Sequence, residues 1–192
     1  MISYRNIAAV AGMCLLSGLA GAALNSGMER AVAASGAADL EARVQRVEDE
    51  LAIRRVLIEY GKNLDNRDYR AYSRLFARNG ELHSGVGTAV GPDGIYEMLT
   101  KVMAPAWDKP HETHSTLHLM TNPLIDIHGD EATVLSKYTF IVTGENGRPE
   151  PRIAAHYRDR MVREDGVWKI AERTSYADIL PSDPLGHQGG GK

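Results

Sequence analysis

The second half of the chain contains four consecutive strand candidates, and the turns between them constrain the fold more than any other feature. The candidate strands cover about residues 115–128, 131–143, 152–164 and 167–179. Gly129-Asp130 joins the first two and Asp165-Gly166 joins the last two. Two-residue turns of this composition are typical of β-hairpins, because Gly and Asp tolerate the positive φ angles of a tight reversal. Consecutive hairpins predict an antiparallel meander.

The first half of the chain is helical in pattern. One apolar stripe, with spacings of four and three residues, consists of Leu40, Val44, Val47 and Leu51. A second stripe, shifted in register, consists of Ile53, Leu57, Tyr60 and Leu64. Such spacings predict a long helix that ends near residue 66, with a kink near residue 52. A short helix over about 68–77 follows, with Asp68 as its predicted N-cap.

The connecting region alternates between strand, turn and helix signals. Residues 81–86 form a strand candidate, and Gly91-Pro92-Asp93-Gly94 is a turn before a predicted helix over about 95–103. Residues 104–111, with two prolines, are predicted to be a loop. Helices first and strands last predict an α+β domain over residues 35–181, with a disordered tail over 182–192.

Bulk composition restricts the partners of such a domain. Of its 192 residues, 43% are hydrophobic and 24% are charged, as in soluble globular proteins. The net charge is −3, and the sequence has no basic tract. Because phosphate binding needs clustered Lys and Arg, nucleic acid is not a predicted partner.

The first 34 residues have the pattern of a secretory signal peptide. Arg5 precedes an apolar run over 7–24, and the small-residue motif Ala31-Val32-Ala33 follows. The prediction is a periplasmic or secreted protein that begins near Ser35 and has no membrane contact after cleavage. The alternative is an uncleaved membrane anchor, since about 18 apolar residues can span a bilayer. The only cysteine is Cys14, so the mature chain has neither a disulfide nor a thiolate nucleophile.

The first apolar stripe also bears on assembly. It resembles a coiled-coil segment that extends beyond one small domain, which predicts a homo-oligomer. The alternative is an amphipathic helix that lies on its own domain.

Several short motifs, taken in order, resemble one protein family. They are Leu51-Ala52-Ile53-Arg54-Arg55, Leu64-Asp65-Asn66-Arg67-Asp68, Leu75-Phe76-Ala77, Gly91-Pro92-Asp93-Gly94-Ile95, His118-Leu119-Met120-Thr121-Asn122, Gly129-Asp130-Glu131-Ala132, Tyr157-Arg158-Asp159 and Arg163-Glu164-Asp165-Gly166-Val167-Trp168-Lys169-Ile170. The family is the SnoaL-like branch of the NTF2-like superfamily. The resemblance implies a cystatin-like cone in which N-terminal helices pack on a curved, mostly antiparallel sheet around one pocket. Because this fold hosts enzymes and binders, it specifies function less than structure.

Within that superfamily the motifs are similar to those of hexachlorocyclohexane dehydrochlorinase and scytalone dehydratase type lyases. The resemblance implies cofactor-free chemistry by an Asp–His pair, which matches Asp65 and His118, and a pocket arginine, which matches Arg173. The dehydrochlorinase has a lysine where this chain has Tyr60, a candidate proton donor or orienting group. That difference favours elimination of water over elimination of halide.

The chemistry of the residues agrees with this assignment. A β-elimination needs a base for a C–H proton, and imidazole is suited to that role near neutral pH. His118 is the predicted base, Asp65 fixes its tautomer, and Arg173 stabilises developing negative charge. His114 shares a strand face with His118 and is a candidate substrate contact.

Each of these residues also has a structural interpretation. Asp65, near a helix end, is compatible with a residue that solvates the following turn or pairs with Arg67. His118 and Tyr60 are compatible with core side chains, and Arg173 with the surface of an edge strand. Between His111 and His118 the histidines and Glu112 invite a zinc hypothesis, but their spacing differs from the helical His-Glu-x-x-His motif, and no metal is predicted.

The sequence therefore predicts an exported, cofactor-independent lyase or isomerase that acts on a small apolar cyclic or oxygenated molecule. Two alternatives stay open. One is a non-catalytic small-molecule-binding module with the same pocket, and the other is an oligomerisation scaffold.

Overall fold

The computed structural model describes residues 5–107, 115–144 and 146–179, with side chains from residue 34 onward except at 104, 106 and 107. Its elements are α1 (Arg5–Asp65), α2 (Tyr69–Ser73), β1 (Phe76–Ser84), β2 (Gly87–Val90), α3 (Gly91–Trp107), β3 (Thr116–His128), β4 (Glu131–Thr143), β5 (Pro149–Glu164) and β6 (Val167–Ile179). The chain divides into two compact units, one that ends at Val47 and one that begins at Glu48.

The first unit consists of the N-terminal part of α1. Leu40, Val44 and Val47 are 57%, 49% and 57% exposed. None of the helices in the described part of the chain combines the length and apolar character that a membrane crossing requires.

The second unit is an α+β domain with one six-stranded sheet, which confirms the predicted fold class. The strand order is β2-β1-β6-β5-β4-β3. Strands β3 to β6 form the predicted antiparallel meander, while β1 pairs with β6 in parallel. The last strand of the chain therefore lies in the middle of the sheet.

Helix and strand limits differ from the predictions where tertiary pairing decides them. Asp68 caps α2 as predicted, since its Oδ1 accepts a hydrogen bond from Ala71 N at 2.9 Å. The helix nevertheless ends at Ser73, because Phe76 already pairs with Ile170 of β6. Strand β2 was not predicted, and α3 includes both the predicted turn at its start and residues 104–107, which were predicted to be a loop. Pro92 is tolerated because its missing N–H would have no intrahelical partner in the first turn.

The core lies between the helices and one face of the sheet, and a buried acidic residue fixes α1 to it. Asp49 Oδ1 accepts a hydrogen bond from Trp168 Nε1 at 3.0 Å and lies 2.7 Å from Arg163 Nη2. The Arg163 guanidinium also packs over the Trp168 ring, with 4.7 Å from Cζ to the ring centroid. These three side chains thus join α1 to the turn end of the β5–β6 hairpin.

Candidate active site

A cavity of about 280 Å³ opens between α1, α3 and the inner face of the sheet. Five aromatic side chains dominate its wall: Tyr60, Tyr72, Tyr138, Phe140 and Tyr157. The other polar lining side chains are Ser84, His118 and Ser175. No Lys, Arg, Asp or Glu of the described residues lines it. The cavity is near the lower end of the range of ligand pockets, about 300–1,000 Å³. It suits a small, neutral and largely apolar molecule.

The structure brings Asp65 and His118 together at the cavity wall. Asp65 is the last residue of α1, and His118 is the third residue of β3. Asp65 Oδ1 and His118 Nδ1 are 2.6 Å apart, and Asp65 Oδ2 accepts the backbone N–H of His118 at 2.8 Å. Thr116 Oγ1 adds a third hydrogen bond, to Asp65 Oδ1, at 3.2 Å. The carboxylate is therefore held against β3 by three donors.

This geometry selects one tautomer of the imidazole. An ionised carboxylate only accepts hydrogen bonds, so the proton of neutral His118 is on Nδ1 and the lone pair is on Nε2. The described residues offer Nε2 no hydrogen-bond partner. The side chains of His118 and Asp65 are 9% and 13% exposed, so the pair is largely shielded from water. A shielded imidazole with a free Nε2 is suited to accept a proton from a bound molecule.

Gly61 allows α1 to approach β3 at this point. A Cβ at position 61 would lie 3.3 Å from the carbonyl oxygen of His118 and 3.4 Å from its Cβ. A side chain there would require α1 and β3 to shift apart by a few tenths of an ångström, at a point about one helical turn before Asp65. Sequence analysis missed this residue. A glycine in a helix interior, where it costs about 0.5–1 kcal/mol relative to alanine, was the available signal.

Arg173, predicted to bind substrate, is fully buried and is not among the side chains that line the cavity. Its Nε and Nη2 donate to Asp159 Oδ1 and Oδ2 at 2.7 and 2.6 Å. Its Cζ lies 3.9 Å from the ring centroid of Tyr60 and 4.3 Å from that of Tyr157. Burial acts to lower the pKa of Arg173, but the charge and hydrogen bonds of Asp159 outweigh it, so the pKa is raised. Arg173 thus supports two rings of the cavity wall.

Tyr60 lines the cavity and is 3% exposed. Its ring centroid lies 4.6 Å from that of Tyr72 and 5.4 Å from that of Tyr157. The position is compatible with substrate contact and with core packing. His114, the remaining predicted contact, lies outside the described residues, as does His111.

Tyr138 and Ser175 are cavity residues that sequence analysis did not identify. Their hydroxyl oxygens are 3.0 Å apart, and the Tyr138 ring stacks on Tyr157 at 4.3 Å with an interplanar angle of 11°. Burial raises the pKa of Tyr138, although its hydrogen bond to Ser175 acts in the opposite direction. Burial also raises the pKa values of Tyr72 and Tyr157. These phenols are therefore protonated at neutral pH.

Two further observations concern the rest of the molecule. The other side of the sheet carries a larger, more open depression of about 530 Å³, lined by both charged and apolar side chains. Within the described ranges, no group of three or more His, Cys, Asp or Glu side chains is arranged to hold a metal ion.

A family model described as a SnoaL-like domain matches residues 45–174. Hexachlorocyclohexane dehydrochlorinase 1 of Sphingobium indicum is 28% identical over 89 residues, which are 46% of this chain and 54% of that protein. The chain thus spans about half the length of the curated relatives it matches.

Solved structures show the same fold. An NTF2-like protein with a cystatin-like fold from Novosphingobium aromaticivorans is 22% identical with a TM-score of 0.65, over 74% of this chain and 90% of that one. The LinA-type3 hexachlorocyclohexane dehydrochlorinase from Novosphingobium barchaimii is 22% identical with a TM-score of 0.60, over 72% and 92% of the two chains.

Proposed function

The chain belongs to the SnoaL-like domain family, and from that premise we propose that it is a cofactor-independent lyase or isomerase whose base is His118. The observation that carries the proposal is the 2.6 Å contact between Asp65 Oδ1 and His118 Nδ1 beside an apolar cavity. The relatives named as dehydrochlorinases support the lyase class. The neutral, hydroxyl-bearing cavity wall favours elimination of water for this chain.

In the proposed reaction, His118 Nε2 removes a proton from a carbon next to an activating group. The electron pair left behind passes onto the activating group and returns to form the new double bond as the C–O bond on the neighbouring carbon breaks. The proton returns from the imidazolium to the departing oxygen, which leaves as water. Asp65 keeps Nδ1 protonated throughout and balances the charge of the transient imidazolium.

The test uses purified protein and 3-hydroxycyclohexanone, whose dehydration to cyclohex-2-enone is followed by the ultraviolet absorbance of the conjugated product. His118→Ala should abolish turnover with little change in melting temperature. Asp65→Asn keeps the side-chain shape but favours the wrong tautomer, so a large loss of rate with retained ligand affinity is expected.

The chain supplies a matched control for this experiment. A second His–Asp pair, His156 Nδ1 and Asp178 Oδ1 at 2.7 Å, lies on the other face of the sheet from the cavity residue Tyr157. His156→Ala removes the same chemical group outside the cavity and should leave turnover unchanged. Binding of cyclic ketones by wild-type protein without conversion of any β-hydroxy ketone or chlorinated analogue would instead assign the cavity to a non-catalytic binder.

We also propose export, on the basis of Arg5, the apolar run over 7–24 and Ala31-Val32-Ala33. N-terminal sequencing of protein from the native host should give a start near Ser35 in a periplasmic or secreted fraction. An intact Met1 on cytoplasmic protein contradicts this proposal.

A third proposal is self-association through α1. Leu40, Val44, Val47 and Leu51 are 57%, 49%, 57% and 61% exposed, and they have the a/d spacing of a coiled coil. In a parallel pair, that spacing would place Arg43 opposite Glu48 of the second copy. Light scattering should show a dimer or larger assembly that Val47→Glu dissociates, whereas Ala42→Glu, away from the stripe, leaves it intact. A monomer at micromolar concentration for the mature wild-type chain rules the proposal out.

A further inference from the structure

The cavity has a second polar feature besides the Asp65–His118 pair. Tyr138 of β4 and Ser175 of β6 both line it, and their hydroxyls are hydrogen-bonded at 3.0 Å. Tyr138 is 9% exposed, and neighbouring wall residues such as Phe140, Ile153 and Ala177 are apolar. The two hydroxyls therefore lie side by side in the cavity wall, with the ring of Tyr157 stacked on that of Tyr138 at 4.3 Å.

The protonation of this pair makes it a donor. Either hydroxyl can donate in the hydrogen bond between them. Because burial raises the pKa of Tyr138, the phenol keeps its proton at neutral pH. Two hydroxyls carry two protons and their mutual hydrogen bond uses one. The other O–H of the pair can donate to an oxygen atom inside the cavity.

The charges around the cavity restrict what that oxygen can belong to. Arg173 is neutralised by Asp159 through two hydrogen bonds at 2.7 and 2.6 Å and does not line the cavity. A ligand carboxylate would therefore be desolvated there without a partner of opposite charge among the described lining residues, which is costly. A neutral carbonyl oxygen accepts the free O–H at no such cost.

We propose that Tyr138 and Ser175 form an oxygen subsite that binds the carbonyl group of a neutral ketone. This inference rests on the proposed lyase function and names its substrate class. When His118 takes the α-proton, the electron pair moves onto the carbonyl oxygen as an enolate, and the O–H of the pair donates to that oxygen. The enolate then re-forms the carbonyl, the β C–O bond breaks, and the proton on His118 goes to the departing hydroxyl to give water.

Equilibrium binding tests the subsite without any need for turnover. Cyclohexanone and methylenecyclohexane have nearly the same shape, but only the first has a hydrogen-bonding oxygen. Wild-type protein should bind cyclohexanone more tightly, as measured by calorimetry. The double variant Tyr138→Phe/Ser175→Ala removes both O–H groups, so it should weaken cyclohexanone binding about tenfold, as expected for a lost hydrogen bond, and leave methylenecyclohexane binding unchanged. Each single variant keeps one O–H and should lose less. Tyr176→Phe, on the outer face, is the matched control and should change neither affinity.

The outcomes separate the subsite from the catalytic proposal. Equal affinity of wild-type protein for the two probes overturns the subsite, as does an equal loss of both in the variants, which indicates packing alone. If the double variant fails to fold, the infrared carbonyl stretching frequency of bound cyclohexanone gives the second measurement. It should be lowered in wild-type protein relative to the free ketone in an apolar solvent, and an unshifted frequency overturns the subsite. His118→Ala should still bind cyclohexanone more tightly than methylenecyclohexane. If wild-type protein shows this difference in affinity but no turnover, the lyase proposal is refuted and the subsite is retained.

Discussion

Asp159→Asn is the substitution that best tests the electrostatics of the domain. Asp159 and Arg173 both have fully buried side chains, and two hydrogen bonds at 2.7 and 2.6 Å join them. Arg173 Nη1 has no hydrogen-bond partner among the described residues. One carboxylate therefore balances the charge of the guanidinium. That carboxylate and two tyrosine rings provide its close contacts. Asparagine keeps the shape but removes the charge.

The expected loss follows from what is left behind. An arginine cannot release its proton in a protein, so the variant contains a buried, unpaired cation. Breaking such a pair costs about 3–5 kcal/mol, against a total stability of about 5–15 kcal/mol for a domain. At about 2–4 °C per kcal/mol, the melting temperature should fall by roughly 6–20 °C. Urea unfolding followed by circular dichroism measures the loss directly.

Arg173→Met gives the contrasting case. Without Arg173 the buried Asp159 carboxylate has no cation partner, and burial then favours its neutral, protonated form. A carboxyl group with a raised folded pKa favours the folded state at low pH and loses that contribution as the pH rises. Arg173→Met should therefore recover stability relative to wild type as the pH falls from 7 towards 4, whereas Asp159→Asn should not.

The double variant Asp159→Leu/Arg173→Met removes both charges. Because it leaves no buried charge, its stability should equal or exceed that of wild type, which places it above Asp159→Asn by at least about 3 kcal/mol. The reasoning is refuted if Asp159→Asn loses less than about 1 kcal/mol, or if the two single variants share one pH dependence.

Three further predictions concern stability. Burial raises the pKa values of Tyr72, Tyr138 and Tyr157 above the ordinary 10.0, so the stability of the fold should decrease as the pH rises above about 10. Phenolate absorbance should then rise together with the loss of circular dichroism. Titration of all tyrosines near 10 with the fold intact contradicts this prediction. Gly80→Ala should cost about 1–3 kcal/mol in urea unfolding, because a Cβ would lie 2.6 Å from the Ile170 carbonyl oxygen. Gly94→Ala, in the first turn of α3 where a Cβ meets open space, should instead gain about 0.5–1 kcal/mol. Similar effects of the two substitutions would refute the close approach at Gly80. Trp168→Phe should lose about 1–3 kcal/mol by thermal unfolding, since Asp49 loses a donor at 3.0 Å. An unchanged melting temperature would mean that the remaining contacts of Asp49 satisfy it without this hydrogen bond.

The parts of the fold that depend on local signals could be predicted from the sequence. The predicted strands 131–143 and 167–179 coincide with β4 and β6, and 115–128 differs from β3 by one residue. Hairpin turns and the alternation of apolar and polar residues along a strand involve residues that are close in sequence, so the sequence shows them as a clear pattern. Pro149 and Pro151 obscured the start of β5, because proline is uncommon inside a sheet, but a register shift at Ile141 of β4 accommodates them.

The parts that depend on distant residues could not be predicted. The parallel pairing of β1 with β6 leaves no local signal, so β1 was predicted to begin five residues too late. Arg173 and Asp159 lie in adjacent strands in register, but their sequence gives no sign that both side chains are buried. Tyr138 and Ser175 converge on one cavity from strands separated by β5, and only the assembled sheet reveals it. Asp65 and His118 were identified through a family resemblance, and their catalytic role remains a prediction.

The central place of β6 has a consequence for how the protein is made. Asp49 and Trp168, which are 119 residues apart in sequence, must come into contact before α1 is fixed to the sheet. One edge of β1 also has no partner strand until β6 pairs with it. Such long-range pairing slows folding, because the loop must close before any contact compensates for the lost chain entropy. A nascent chain that stops before Val167 has two disconnected groups of strands. Release of β6 from the ribosome therefore sets the earliest moment at which the cavity wall can be completed.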